Sequence, residues 1–329
     1  MIASPVLLIG CARSGTTLLY TVLSEVDALW SLGYESRALI ERDYAPASRG
    51  WASGALTADD LTPAAAAELR RAFAAAAVPG AYWRRVNRLR RALNETGFYR
   101  ALKRRGRGGS AAAAAAPAAG LDAARALGRL AARLAPPRAP IRLLEKTPEN
   151  CLRLPFLQAL FPDARVLFLT RDGRANVHSL LEGWRHPVLF PGYRTPVPVT
   201  SPGQTRGRWA FTLIPGWRDL VDRPLVEICA RQWAACNAAV LDYAATPGAL
   251  PVLPVRHEDL VAAPDATLAA IARFLDLRPA DIPAHGRGLP EVNVVSAPGA
   301  EKWRAEAAAL ATVAPILAPI MARLGYQEG

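Results

Sequence analysis

Residues 10–17 read GCARSGTT, and residues 5–9 ahead of them read PVLLI. The apolar run bounded by Gly10 has the length and composition of a buried parallel strand, and residues 16–23 (TTLLYTVL) continue with helix-compatible spacing. Strand, glycine loop and helix start follow one another without a gap, which is the order of a phosphate-binding loop. In the nucleotide-kinase pattern G-x-x-x-x-G-K-[ST], a lysine reaches the β- and γ-phosphates and the last hydroxyl holds Mg²⁺. Thr16 occupies that lysine position here. The loop therefore points to a group less charged than a triphosphate. Backbone amides and the helix dipole would aim at an anion near Ser14, Gly15, Thr16 and Thr17, with Arg13 adding a fixed positive charge. A generic βα turn that binds nothing does not need an arginine, a serine and two threonines together.

With 329 residues, 51% of them hydrophobic, the chain can bury a substantial core, and we read residues 1–329 as one α/β domain. No stretch approaches the roughly 18 to 20 uninterrupted apolar residues of a membrane span. The first strand starts so near Met1 that no secretory signal is expected. The four cysteines, Cys11, Cys151, Cys229 and Cys236, lack zinc-site spacings, so no metal is expected and a reduced, cytoplasmic compartment is the simplest reading. Cys11 reads as a small residue in a tight turn rather than a nucleophile. The formal charge of +12 is concentrated: residues 83–108 hold ten Lys or Arg against one Glu, a net of nine. That stretch is either a polyanion-binding surface or a solvated helix face.

Beyond the loop, residues 141–145 (IRLLE), 165–170 (RVLFLT) and 252–255 read as strands. Residues 148–160, 172–184, 227–244, 265–275 and 301–324 read as helices. Strands alternating with helices imply a three-layer α/β fold of the phosphate-loop type, its parallel sheet covered by helices on both faces. Residues 45–140, rich in Ala and Arg, read as a helical insertion, with residues 106–120 (GRGGSAAAAAAPAAG) as a flexible joint. In such sheets ligands bind beyond the carboxyl ends of the strands. Arg13, Lys146, Arg171 and His257 each follow a strand, so these four strand ends are expected to make one site.

The same residues carry a resemblance. GCARSGTT, EKTPEN at 145–150, FPDARVLFLTRDGRANVHS at 161–179, VRHEDLV at 255–261 and EKW at 301–303 together resemble the sulfotransferases that use 3'-phosphoadenosine 5'-phosphosulfate (PAPS). The likeness is nearest to the protein-tyrosine branch and its bacterial relatives. It spans both ends of the chain but not residues 45–140.

The resemblance implies that Arg13, Ser14, Gly15, Thr16 and Thr17 bind the 5'-phosphosulfate, and that Arg171 and Ser179 bind the 3'-phosphate. Arg171 ends a strand and Ser179 lies two helical turns on, so both can face one dianion. The alternative for Arg171 is an ion pair with Asp172 or Asp163. GYESR at 33–37 offers Glu35 as the general base and Arg37 as its companion; simple pairing of these two on a helix end is the other reading. Lys146 would stabilise the phosphate-side oxygen as the S–O bond lengthens. His257 is either an adenine-stacking residue or a histidine bonded to backbone beside Glu258, and Lys302 resembles a late lysine that reaches the cofactor phosphates. His178 is set aside, because adjacent helical positions point about 100 degrees apart.

Two places depart from the family pattern: Gly183 stands where a second cofactor-contacting arginine is expected, with Arg185 nearest, and residues 287–300 align poorly. Sulfuryl transfer from PAPS to a hydroxyl acceptor is the expected activity, and a homodimer is compatible with the sequence. The rivals are a phosphate-loop kinase and a basic polyanion-binding protein acting through residues 83–108; nucleic acid is not the expected partner.

Overall fold

The computed structural model describes residues 1–95, 111–134, 139–187, 190, 192–201, 207–282, 289 and 301–327. Among them, six strands form one sheet: β1 (Val6–Ile9), β2 (Leu29–Ser31), β3 (Val78–Pro79), β4 (Arg142–Lys146), β5 (Arg165–Thr170) and β6 (Val252–Arg256). Their order is β3-β2-β4-β1-β5-β6. All pairings are parallel except β2 with β3, which is antiparallel. The fold is α/β.

Alternation along the strands builds the layers. In β1, Leu7 and Ile9 enter one apolar cluster while Val6 and Leu8 enter the other; in β5, Val166 and Phe168 oppose Leu167 and Leu169 in the same way. Three helices cover the second face, α1 (Thr16–Leu23) and, later in the chain, α9 (His257–Ala262) and α10 (Pro264–Phe274). The first face is larger. It takes α2 (Arg37–Tyr44), α3 (Pro63–Ala76), α6 (Leu154–Leu160), α7 (Gly173–Arg185), α8 (Leu225–Ala244), α11 (Ala307–Ala311) and α12 (Ala314–Arg323). Helices α4 (Gly80–Glu95) and α5 (Ala111–Leu134) pack at the β2–β3 edge.

From β1 the chain runs to β2, returns through β4, and then crosses to β5 and β6 on the other side. The sheet therefore has a topological switch between β1 and β5, the place where a parallel sheet opens a crevice at its carboxyl edge. Residues 10–15 and 171–172 fill that edge.

Several boundaries differ from the sequence reading. The strand expected at 141–145 is Arg142–Lys146, so Lys146 ends the strand rather than following it. Residues 148–160 divide into a 3-10 turn, Pro148–Leu152, and α6. Residues 301–324 divide into a 3-10 turn, Lys302–Glu306, then α11 and α12, with a bend of 116°. Residues 45–140, expected to be helical, are not purely so, because β3 adds an edge strand. At three and two residues, β2 and β3 are too short to show a period. The poly-alanine run expected in a joint begins α5, in keeping with alanine's helix preference; residues 96–110 lie outside the described residues. All four cysteines are buried free thiols. No single described helix is long and apolar enough to cross a membrane.

Candidate active site

The loop between β1 and α1 is tightly constrained. A Cβ on Gly10 would stand 2.6 Å from the Leu169 carbonyl oxygen and 2.8 Å from Ser14 Oγ, so only glycine fits there. Gly15, at φ +103°, precedes the first helical residue, and a Cβ on it would come within 2.5 Å of His257 Nδ1. Arg13 is a non-glycine residue at φ +69°, a conformation that costs energy and is held by its surroundings. The turn sends its carbonyl toward Arg171, whose Nη1 donates to it at 3.1 Å, and its side chain toward α7, where Nε donates to Ser179 Oγ at 3.2 Å. Asn176 ties the same helix to the loop by donating to the Ala12 carbonyl at 2.9 Å.

Arg13, Arg171 and Ser179 thus come together at the switch point. Burial is the main force depressing the pKa of both arginines, and at Arg13 the neighbouring Arg171 charge adds to it. Two partly desolvated guanidinium groups at one loop raise the local positive potential and favour an anion there. Neither alternative for Arg171 is realised: Asp172 pairs with Arg174 at 2.7 Å and caps α7, while Asp163 accepts from the Ser4 amide. Ser14 Oγ, at the floor of the loop, is buried with no hydrogen-bond partner.

On the other side of the loop, Lys146 Nζ stands 2.7 Å from Glu35 Oε1 and 3.5 Å from Thr17 Oγ1. Lys146 is buried, its side chain 6% exposed, and Glu35 opens to solvent at 41%. Glu35 is therefore paired with Lys146 and not with Arg37. Arg37 turns away, donating to Glu41 at 2.9 Å and lying 3.7 Å over the Tyr193 ring, with Nη1 3.8 Å from Glu149.

What aligns Glu35 with Lys146 is a network the sequence did not disclose. The residues on either side of Lys146 both grip Ser36, the neighbour of Glu35. Ser36 Oγ donates to Glu145 at 2.7 Å, and the Ser36 amide donates to Thr147 Oγ1 at 2.7 Å. Asn150 completes the set by donating to Glu145 at 2.9 Å. Glu145 is wholly buried, and burial raises its pKa against these hydrogen bonds. Gly33 and Tyr34 are held from α5: Arg125 donates twice to the Gly33 carbonyl, at 3.1 and 2.6 Å, and lies 5.3 Å over the Tyr34 ring.

His257 begins α9 with its ring against Gly15. Its Nδ1 is buried without a partner, so the backbone-bonded alternative is not formed at that atom. Burial, and then the Arg171 charge, lower its pKa to about 4, which leaves the ring neutral. Lys302 stands on its 3-10 turn beside α7, the turn being fastened by Arg185 to Glu306 at 2.7 Å and by Arg174 over Trp303 at 4.8 Å. Arg185 is thus engaged away from the loop. Residues 287–300, Leu289 excepted, lie outside the described residues, as does the basic stretch beyond Glu95.

Two clefts border these groups. One, of about 580 Å³, is lined by Phe190, Arg194, Thr195 and Arg208, and Phe190 also carries the Arg13 guanidinium 4.8 Å over its ring. The other, of about 600 Å³, runs between α3 and α5 past Tyr34 and is lined by Arg125, Arg129 and Arg133.

A mostly parallel sheet thus carries a glycine loop, two half-buried arginines at its switch point and a lysine–carboxylate pair beside it. The chain belongs to the sulfotransferase family, whose family model matches residues 5–190. Over 140 residues it is 29% identical to protein-tyrosine sulfotransferase A of Caenorhabditis elegans; the match takes in 43% of this chain and 28% of that protein's length. Among solved structures, it aligns with the sulfotransferase domain from the curacin biosynthetic pathway at 14% identity and a TM-score of 0.47, covering 100% of this chain and 99% of that one. It also aligns with a sulfotransferase from Alicyclobacillus acidocaldarius at 13% identity and a TM-score of 0.46, covering 100% and 98%.

Proposed function

We propose that this chain is a single-domain, cytoplasmic enzyme that transfers a sulfuryl group from PAPS to a hydroxyl acceptor. The observation that carries the reading is the arrangement of two polar clusters around one loop. Arg13, Arg171 and Ser179 gather at one end of it, and Thr17, Lys146 and Glu35 at the other. A donor with phosphate at both ends of an adenosine matches that division. The orphaned Ser14 Oγ and the glycine-only cradle at Gly10 and Gly15 suit a phosphate seated against the loop amides.

PAPS supplies an activated sulfuryl group. Arg171 and Ser179 would hold its 3'-phosphate, with His257 and Lys302 lining the nucleotide, while Arg13, Ser14, Gly15, Thr16 and Thr17 would hold the phosphosulfate. Glu35 takes the proton of the acceptor hydroxyl, and Lys146 neutralises charge on the phosphate side. Arg37, held by Glu41 and Tyr193, would serve the acceptor rather than act as the companion of Glu35. The acceptor, a small-molecule, carbohydrate or peptidyl hydroxyl, would reach Glu35 by the cleft that passes the adjacent Tyr34. A homodimer is compatible with this site.

Calorimetry with PAP tests the donor. Wild type should bind at micromolar levels and Arg171→Ala should not, and failure of the wild type would overturn the assignment. A screen of hydroxyl acceptors with labelled PAPS follows. A nucleotide-dependent kinase is the second reading. Lys146 favours it by bringing an ammonium to the loop that lacks its own; turnover that requires ATP and Mg²⁺ would establish it.

A further inference from the structure

Seven large apolar side chains stand exposed among the described residues, and four of them lie on α4 and α5. Leu127, Leu130 and Leu134 of α5 are 61%, 52% and 78% exposed, and Leu89 of α4 is 62% exposed. The three leucines of α5 recur at the spacing of one helix face. A different face of α5 is the packed one. Gly128 is buried there, a Cβ on it would come 2.7 Å from Val78 Cγ1 and 2.8 Å from Tyr82 Cε1, and the Tyr82 hydroxyl donates to the Ala124 carbonyl at 2.7 Å. At about 100° per residue, Leu127, Leu130 and Leu134 all point away from Gly128, in one strip with the exposed Ala123 and Ala126. An amphipathic surface helix turns such a strip to the core, whereas α5 turns it outward.

Positive charge borders the strip. Arg129 and Arg133 stand along one edge of it, and among the described residues neither has an ion-pair partner. Asp122, the one acidic residue of Ala111–Leu134, is taken by Arg125 at 2.5 Å. The adjoining α4 exposes Arg85 and Arg88, and residues 83–108 carry a net charge of nine in the sequence. This charge decides between occupants. A second copy of the chain would set two basic faces together, and a nucleic acid would leave the leucines without a partner. An anionic bilayer matches both features, because leucines can enter the boundary between headgroups and acyl chains while the arginines stay at the phosphates.

We propose that the outer face of α5 is a docking surface for an anionic lipid bilayer, with Leu127, Leu130 and Leu134 entering it and the arginines of α5 and α4 supplying the attraction. The protein then lies on the membrane surface as a peripheral protein. The inference goes beyond the proposed transfer and is independent of it, since its test reads binding to lipid and no turnover.

Co-sedimentation of the full chain with vesicles tests it, using phosphatidylcholine alone and phosphatidylcholine with about one-third phosphatidylserine. Wild type should partition at least about tenfold more strongly onto the anionic vesicles, and the preference should shrink as salt rises from about 0.1 to 0.5 M. Leu127→Gln, Leu130→Gln and Leu134→Gln combined should weaken partitioning by about tenfold or more, with thermal melting unchanged. Arg129→Gln with Arg133→Gln should weaken it on the order of tenfold and abolish part of the salt dependence. Wild type that stays in the supernatant with both vesicles overturns the inference, as does equal binding to both. A triple leucine variant that binds as well as wild type also overturns it, leaving a surface that works by charge alone. Light scattering supplies one further outcome against it: a wild-type dimer that the triple variant converts to a monomer would give the strip to a second copy. Should the triple variant fail to fold, Leu134→Gln at the most exposed position must still weaken partitioning by about twofold, and no loss there would count equally against the inference.

Discussion

Arg13 and Ser179, 166 positions apart in the chain, meet at 3.2 Å from Nε to Oγ. The contact joins the loop after β1 to the helix after β5 across the switch point of the sheet. Arg171 reinforces it from beneath by donating to the Arg13 carbonyl. The loop is thus assembled with its two positive groups already in place, so little reorganisation is required when an anion arrives.

Arg171→Ala removes one of the two half-buried charges and frees the Arg13 carbonyl. Hydrogen bonds to charged groups contribute roughly 1.5–3 kcal/mol, so PAP should bind about ten- to hundredfold more weakly. Titration calorimetry measures this directly, and an unchanged affinity would separate Arg171 from the anion site.

Ser36→Ala deletes the hydroxyl that Glu145 accepts from and loosens the segment carrying Glu35. Leaving Glu145 partly unsatisfied should destabilise the fold by about 1–3 kcal/mol. The turnover number should fall while PAP affinity holds, because Ser36 touches none of Arg13, Arg171 or Ser179. Denaturant melts together with separate kcat and donor-affinity measurements check both halves.

Gly15→Ala would place a Cβ 2.5 Å from His257 Nδ1 at a backbone angle that L-residues rarely adopt. We expect a loss of about 1–3 kcal/mol in stability together with weaker PAP binding. Trimming the obstacle with His257→Ala should recover part of the binding but not the backbone strain.

The stability of the protein should carry a signature of His257. Its pKa falls from 6.5 to about 4 on folding, so the unfolded chain binds the proton more readily. The associated stability is fully present above about pH 6.5 and is lost as the pH drops toward 4. Glu149, raised from 4.5 to about 7, opposes this, because its contribution is lost as the pH rises through that range. Other shifted carboxylates, Glu145 among them, add to the wild-type slope, so the informative measurement is a difference. Between about pH 7.5 and pH 5, wild type should lose on the order of 1–3 kcal/mol more than His257→Asn in chemical denaturation.

The central strands and the loop were legible because their signals are local. PVLLI and RVLFLT are apolar runs that suit strands buried on both faces, and GCARSGTT carries its spacing with it. Arg13, Lys146, Arg171 and His257 could be placed at strand ends for the same reason. The strands β2 and β3 could not, since three and two residues hold no period. Glu145, Glu149 and Asn150 all stood within the EKTPEN stretch, but spacing does not tell which carboxylates in a polar stretch point inward.

The partnership of Glu35 with Lys146 shows where the boundary falls. From the sequence alone, the order of strands, the glycine loop and the cationic strand ends follow, since backbone geometry and side-chain alternation act over a few residues. That Ser36 would be gripped by Glu145 and Thr147, from 109 and 111 residues away, was decided only when β4 came to lie beside β1 and drew the segment after β2 over its end. Hydrogen bonds between buried groups depend on which surfaces lose water together, and that is a property of the packed chain.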